Sequence, residues 1–564
     1  MRRALSFASA LLLFSGQVQA ASPPPVDAEN GMAESSQHYA SEAGAAILKA
    51  GGNAIDAAVA MGYALAVTHP CCGNIGGGGF ATIHFANGKE TFVDFREKAP
   101  GAASENMYLD AKGNVIPRLS LDGYKAVGVP GSVMGFETML KKYGTMTRAE
   151  VMAPAIKLAS KGFVLAPGDV NLLAYRNADF AKQPEMAAVW LNHGKPWKVG
   201  ETVVQKNLAA TLTEIEQKGP DTFYRGDIAA RVVAASKAHG GILTMKDFAD
   251  YTVQETPPLT CSYRGYTIVS SPPPSSGGTV ICEIMNILSA YPMDKMDAHS
   301  AKSVHLMVEA MRHAYVDRNF KLGDPAFIHN PVAQILSASH AAAIRAKIDP
   351  VKATPSDQVQ PGVPPHEGTN TTHYSVVDKA GNAVSITYTI NESFGADIIA
   401  GDTGFILNDE MDDFTSKVGS PNVFGLIQGS NNAIEPGKRP LSSMSPTIVI
   451  KDGKVVMVVG SPDGSRIPTI TLESILGVVD HHMDVQSAID YPRIHHQWMP
   501  DTVYLEKGAL TPDVRKQLEA AGYNFTDDVP WGAAEGISIG DKNGKRILYG
   551  GNDRRSGAGS AAGY

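Results

Sequence analysis

A chain of 564 residues with a formal net charge of −8 carries no basic surplus, which argues against a nucleic-acid partner. With 43% hydrophobic residues it is apolar enough for large cores, either as several domains or as one intertwined unit. None of its four cysteines has zinc-type spacing.

Met1-Arg2-Arg3, an apolar run over residues 4–14 and Val18-Gln19-Ala20 read as a secretory signal peptide, cleaved after Ala20. The apolar run is too short to cross a bilayer, and no later stretch approaches ~20 uninterrupted apolar residues. The mature protein is therefore expected to be soluble and periplasmic or secreted, with no membrane attachment after signal cleavage. An uncleaved signal anchor is the alternative. Residues 41–49 and 54–67 read as helices separated by Gly51-Gly52, with Asn53 as N-cap and Asp56 as a first-turn acid. Cys71 and Cys72, being adjacent, are poor partners for each other, whereas Cys261 and Cys282 can bridge in an oxidising compartment. Gly76-Gly77-Gly78-Gly79 fails the dinucleotide pattern, because Ala81 stands where the last glycine belongs; it predicts a close approach of backbones. Strand-like runs occur at 90–95, 266–270, 447–450 and 455–459. Residues 301–318 form an amphipathic pattern with Val304, Met307, Val308, Met311 and Tyr315 on one face. His481-His482 and His495-His496 lack the i, i+4 spacing of helix-borne metal ligands and read as packing or surface residues. Periodicity alone supports an α/β or α+β unit.

The segment 355–370 is rich in Pro and Gly, has no apolar periodicity, and feeds directly into a strand headed by Thr371-Thr372. Cleavage between Asn370 and Thr371 would give Thr371 a free amine beside its own hydroxyl, a recognised nucleophile–base pair. An α-amine titrates near ~7.7–8.0, so part of it is a neutral base at neutral pH. The alternative is that both threonines are ordinary strand residues after a loop. Asp378-Lys379-Ala380-Gly381-Asn382 is a turn signal joining 371–377 to 383–390 as a hairpin. In the second strand Val384, Ile386, Tyr388 and Ile390 alternate with Ser385, Thr387, Thr389 and Asn391. If Asp378 pairs with Asn382, Thr389 falls opposite Thr371; a one-residue slip would put Ile390 there instead.

These features, together with Pro440-Leu441-Ser442-Ser443-Met444-Ser445-Pro446-Thr447, resemble the γ-glutamyltranspeptidase family. Further matches are Gly51-Gly52-Asn53-Ala54-Ile55-Asp56, Asp94-Phe95-Arg96-Glu97, Pro272-Pro273-Pro274-Ser275-Ser276-Gly277-Gly278 and Ala562-Gly563-Tyr564, so the likeness runs from about Asn30 to the C-terminus. The resemblance implies a four-layer αββα sandwich of the N-terminal nucleophile hydrolase type, an α+β fold. It also implies one intertwined unit of two subunits, a large one (21–370) and a small catalytic one (371–564), forming a heterodimer. The implied donors are glutathione and other γ-glutamyl compounds, the acceptors amino acids, peptides or water, with no metal and no organic cofactor.

A γ-glutamyl donor presents an α-carboxylate, an α-ammonium and a carbonyl that develops an oxyanion. Arg96 suits the carboxylate, because a guanidinium binds it bidentately; a structural ion pair with Asp94 or Glu97 is the plain alternative. The resemblance adds Ser442 and Ser443 on the same carboxylate, although serines in such a loop are usually turn chemistry. It places Glu410 and Asp413 on the ammonium, an i, i+3 pair that shares a face if helical; a solvated acidic turn is the alternative. Thr389 and Asn391 are implied to orient the Thr371 amine and the donor. The family's Gly-Gly oxyanion hole appears here as Asp463-Gly464, within Gly460-Ser461-Pro462-Asp463-Gly464-Ser465. Asp463 keeps its N–H but adds a carboxylate and lacks glycine's freedom at positive φ; it is expected to point away from the site, toward Arg466 or another cation. Phe424 stands where some members carry a lid tyrosine and cannot make that residue's hydrogen bond, which predicts a looser lid and wider acceptor access. Other readings are a cephalosporin or glutaryl acylase on the same scaffold, against which Glu410 and Asp413 argue, an unprocessed binding protein, and a conventional serine hydrolase using Ser275 or Ser276.

Overall fold

Two seven-stranded antiparallel sheets stack face to face between helical layers. The computed structural model describes residues 22–359 and 371–564; the expected signal segment and Asn370 lie outside the described residues. One sheet runs Val26–Ala28, Lys545–Asn552, Glu535–Lys542, Lys454–Gly460, Thr447–Lys451, Tyr266–Ser270, Leu259–Tyr263. The other runs Ser560–Gly563, Met32–Ser35, Thr372–Val377, Ala383–Thr389, Gly78–His84, Glu90–Asp94, Gln254–Thr256. Both sheets mix strands from before and after residue 371.

Three apolar cores define the layers. Val377, Ala383, Ile448, Val458, Ile537 and Leu548 fill the space between the sheets. Val376, Val384, Ile386 and Tyr388 point the other way, onto helix Ala54–Thr68. On the far side Ile268, Val449, Met457 and Val459 pack against helices Gly277–Leu288, Ala301–Lys321 and Ile467–Val479. The period of two in each strand thus serves two different cores, one per face. Helix Ala54–Thr68 opens with the expected capping box: Asn53 Oδ1 accepts from the N–H groups of Ile55 and Asp56, and Asp56 returns a bond to the Asn53 N–H.

Helix Ala301–Lys321 departs from expectation. The sequence pattern predicts an apolar face and a wet face, but Glu309 and Arg312 are buried along with Met307 and Met311. Elements pack on both sides of the helix, and its polar groups find internal partners, such as Glu309 with the Thr354 N–H and the Tyr523 hydroxyl. A second correction concerns the cysteines. Cys261–Cys282 ties a strand to helix Gly277–Leu288, as expected, but Cys71 and Cys72 are also bonded to each other, with Cα atoms 3.7 Å apart. The loop turns sharply there, with the Cys72 N–H donating to the His69 carbonyl at 3.3 Å. The Cys71 and Cys72 carbonyls then accept from Phe394 and Ile390, anchoring the chain beyond strand Ala383–Thr389. No helix among the described residues is long and apolar enough to cross a membrane.

The turn between Thr372–Val377 and Ala383–Thr389 is built on one carboxylate. Asp378 Oδ1 accepts from the N–H groups of Gly381 and Asn382 at 2.9 Å, and Oδ2 accepts from Asn382 Nδ2 at 2.6 Å and the Ala54 N–H at 3.0 Å. With the Asp378 N–H donating to the Asn382 carbonyl, Thr372 pairs with Tyr388 and Thr371 falls opposite Thr389. Hydrogen bonds to a charged acceptor contribute about 1.5–3 kcal/mol each. Asp378→Ala is therefore expected to lower stability by about 2–4 kcal/mol, read as a fall in the urea midpoint, with Asp378→Asn recovering part of the loss.

Candidate active site

Thr371 is 5% exposed, and its Oγ1 lies 3.2 Å from Thr389 Oγ1. Thr389 Oγ1 also accepts from the Asn391 N–H at 2.8 Å, which disposes the Thr389 hydroxyl to donate toward Thr371. Asn391 reaches this position at φ 76°, a left-handed conformation that Asn tolerates better than most residues. Its side-chain amide donates to the Asp409 carbonyl at 3.1 Å. The glycine run supplies the space: a Cβ on Gly77 would sit 1.9 Å from the Thr389 carbonyl oxygen, and one on Gly76 would sit 2.0 Å from that of Ile406. The predicted close approach of backbones is what this run provides.

Around Thr371 a small cavity is lined by Arg96, Thr389, Asn391, Glu410, Asp413, Ser442, Ser443 and Gly464, with Phe424, Leu426, Met444 and Ile467 as its apolar side. The structure thus gathers residues from stretches of chain as far apart as Arg96 and Ile467. Asp463 is not in the lining, but it is buried and holds φ 109°, a conformation that favours glycine. Its carbonyl accepts from the Arg466 N–H, while the Arg466 guanidinium pairs with Asp528 at 2.8 Å and lies over the Trp531 ring.

Arg96 and the acids meet directly. Glu410 and Asp413 sit on a single 3-10 turn, where residues three apart eclipse, and both pair with the Arg96 guanidinium, which also has Glu97 at 3.6 Å. Sequence reasoning assigns Arg96 and the acids to opposite ends of a ligand; here they form one buried ion cluster. Asp94 instead binds the Arg96 N–H and the Arg439 side chain. Burial opposes the charge on Arg96, but Glu410, Asp413 and Glu97 together hold its pKa raised. Burial also pushes Glu97 up to about 7 and Glu410 well above the carboxylate range, against the pull of Arg96.

Phe424 does not form a loose flap. It is buried with its ring edge against Gly464, and its segment is held by Asp412, which accepts from the Val423 N–H at 2.8 Å, and by Asn422. An aromatic ring without a hydroxyl is stabilised by packing alone, and the apolar side of the cavity supplies it. Ser275 and Ser276 donate to the Met444 and Ser442 carbonyls at 2.6 and 2.7 Å, which makes them loop fasteners, without a histidine partner among the described residues. The sequence reading overlooks Arg318, which is buried and donates to Ser443 Oγ at 3.1 Å. A signal was present: Arg318 is three residues beyond Tyr315 and extends the apolar stripe of its helix with a charge. Among the described residues two groups lie close enough to share a metal ion, Glu283/Asp317/His340 and the disulfide-bonded Cys71/Cys72 with His69, and neither lines the cavity.

The sequence and the architecture can be compared with those of known proteins. The γ-glutamyltranspeptidase profile matches residues 40–564. The chain belongs to the γ-glutamyltranspeptidase family. It is 57% identical to a glutathione hydrolase proenzyme of Pseudomonas sp. (strain A14) over 99% of this chain and 98% of that one. It is 47% identical to the glutathione hydrolase proenzyme of Escherichia coli (strain K12), over 96% and 93%. Among solved structures, cephalosporin acylase from Bacillus halodurans superposes with a TM-score of 0.85 at 27% identity, covering 98% of this chain and 99% of that one. The expected N-terminal nucleophile hydrolase sandwich is thus the observed fold, and this γ-glutamyltranspeptidase family member shares it with an acylase.

His373, two residues beyond Thr371, stands between the sheets with Nδ1 2.8 Å from Thr387 Oγ1 and Nε2 3.1 Å from Ser375 Oγ. Burial pushes its pKa down to about 3, against ~6.5 in an unfolded chain. Below pH ~6.5 the unfolded state takes up a proton that the folded state refuses, so this contribution to stability is lost as pH falls toward the folded pKa. The loss reaches about 2 kcal/mol at pH 5. His373→Gln should show a shallower fall in stability between pH 7 and pH 5 by about that amount, measured by urea unfolding at both values.

Proposed function

We propose that this protein is an exported, self-cleaving γ-glutamyltransferase and glutathione hydrolase whose nucleophile is Thr371 Oγ1. The observation that carries the reading is the placement of Thr371 at a strand edge, opposite Thr389 and beside a cavity that holds both a cation and carboxylates. The precursor, after loss of residues 1–20, separates into a large subunit (21–370) and a small subunit (371–564). In the processing step Thr371 Oγ1 attacks the carbonyl of Asn370, the peptide nitrogen leaves as the Thr371 amine, and water hydrolyses the resulting ester. The strand mixing in both sheets keeps the two chains together as a heterodimer after the cut.

In turnover the Thr371 amine takes the proton from its own hydroxyl, and Oγ1 attacks the γ-carbonyl of glutathione or a related donor. The γ-glutamyl group is left as an ester, cysteinylglycine departs from glutathione, and an amino acid, a peptide or water resolves the ester. Backbone N–H groups of Asp463 and Gly464 are assigned to the developing oxyanion, an interaction whose loss typically costs ~10²–10³ in rate. Arg96, Ser442 and Ser443 take the donor α-carboxylate; Glu410, Asp413 and Asn391 take its ammonium. A zwitterion entering the cluster replaces the direct Arg96–acid contacts with contacts to its own two charges, so the buried groups stay paired. Nucleophile, base and oxyanion donors all come from the chain, and the scheme uses no metal or organic cofactor.

Wild type made in a purified translation system should yield two chains, the smaller beginning at Thr371, while Thr371→Ala should remain one chain and be inactive. Intact masses and a denaturing gel check both. Two fragments from the alanine variant would point to an external protease. A wild type that hydrolyses glutaryl amides faster than γ-glutamyl amides would move the reading to an acylase.

A further inference from the structure

Arg318 is 2% exposed, and each of its nitrogens faces a neutral acceptor. Nε donates to Ser276 Oγ at 3.2 Å, Nη1 to Asn319 Oδ1 at 3.0 Å and Gln428 Oε1 at 2.9 Å, and Nη2 to Ser443 Oγ at 3.1 Å. Among the described residues no carboxylate makes an ion pair with it, and burial draws its pKa down to about 10. Arg96, by contrast, already has Glu410, Asp413 and Glu97 around it. The site therefore holds two buried guanidiniums, one in direct contact with acids and one whose direct partners are all neutral, with the more distant charge of Asp413 favouring it.

The contacts of Arg318 extend to three recognition residues. It touches Ser443 directly. Ser276, whose Oγ accepts from Arg318, donates to the Ser442 carbonyl at 2.7 Å. Gln428, also held by Arg318, donates to the Asp413 carbonyl at 3.1 Å. A hydroxyl that accepts from a cation is left to donate elsewhere. Ser443 is thereby set to point its hydrogen toward the cavity, where an anion would accept it, and the charge behind it lies in a medium of low effective dielectric.

We propose that Arg318 is the positioning residue for the donor's α-carboxylate: it orients the Ser443 hydroxyl and supplies the uncommitted positive charge that the carboxylate balances. Its selectivity is for donors bearing a carboxylate at that carbon, whether or not they carry the ammonium. This inference rests on the reading of the cavity as an acyl-donor site. It gives Arg318, and not Arg96 alone, the discrimination between a γ-glutamyl group and its decarboxylated counterpart.

Three anilide donors test it: γ-glutamyl, glutaryl (no ammonium) and 4-aminobutanoyl (no carboxylate). Arg318→Met should raise KM for the first two by ~10-fold or more, the scale of a lost hydrogen bond to a charged group. Their kcat should change little, and kcat/KM for the 4-aminobutanoyl anilide should stay within ~2-fold. Arg318→Lys keeps the charge but loses the fork, and should fall between wild type and Arg318→Met on the carboxylated donors alone; it decides the matter if Arg318→Met does not process into two chains. A uniform fall on all three donors, or no change on any, overturns the proposal in favour of a purely structural arginine. If wild type spares the γ-glutamyl anilide, the transferase reading fails by itself, and the contrast between glutaryl and 4-aminobutanoyl donors still decides the role of Arg318.

Discussion

Everything at this site hangs on the register of one hairpin. Side chains on a strand alternate with a period of two, so a slip of one residue would turn Ile390 toward Thr371 and Thr389 away from it. The Asp378 carboxylate forbids that slip by accepting from the turn's own N–H groups and, at the same time, from the first residue of helix Ala54–Thr68. Turn and helix are thus locked to the same anion. The Gly77 approach to the Thr389 carbonyl and the Asn391 turn then place the remaining polar groups relative to that register. A hydroxyl pair buried between sheets needs this degree of definition, because a buried hydroxyl with the wrong neighbour costs free energy that a solvated one does not.

The second organising feature is charge held away from water. Arg96, Glu97, Glu410 and Arg318 are all buried, and such groups persist only when paired, hydrogen-bonded or neutralised. The structure uses each solution: Arg96 is paired, Arg318 is hydrogen-bonded to neutral acceptors, and Glu97 is pushed toward its neutral form. A site prepared in this way discriminates by charge pattern, since a ligand that leaves any of these groups less well partnered is penalised.

The arrangement of strands knits the segments before and after residue 371 into one fold. Strand Thr372–Val377 lies between Met32–Ser35 and Ala383–Thr389, and Ser560–Gly563 pairs on the far side of Met32–Ser35. Segments from either side of residue 371 are hydrogen-bonded neighbours in both sheets, and the core between the sheets draws on both. The fold is shared with a cephalosporin acylase at 27% identity, so the frame by itself does not fix the substrate.

Much of this was legible in the amino-acid sequence, because it is local. Alternation in residues 383–390, the Asp378–Asn382 turn and the Asn53 cap all follow from contacts a few residues apart or from backbone preferences that each residue carries with it. The family motifs named most of the residues that line the cavity, but not Leu426 or Ile467, and Asp463 lies outside the lining. What sequence left undecided were relations between positions far apart in the chain: that Arg96 would meet Glu410 and Asp413 directly, that Phe424 would pack against Gly464, and that the helix bearing Arg318 would be buried on both sides. The Cys71–Cys72 bond was missed for a related reason, since adjacent side chains normally diverge and only the turn imposed by the surrounding loop brings them together. A charge or a ring has no partner written into its own neighbourhood; the partner is chosen by which layers stack and how closely, and only the tertiary structure decides that.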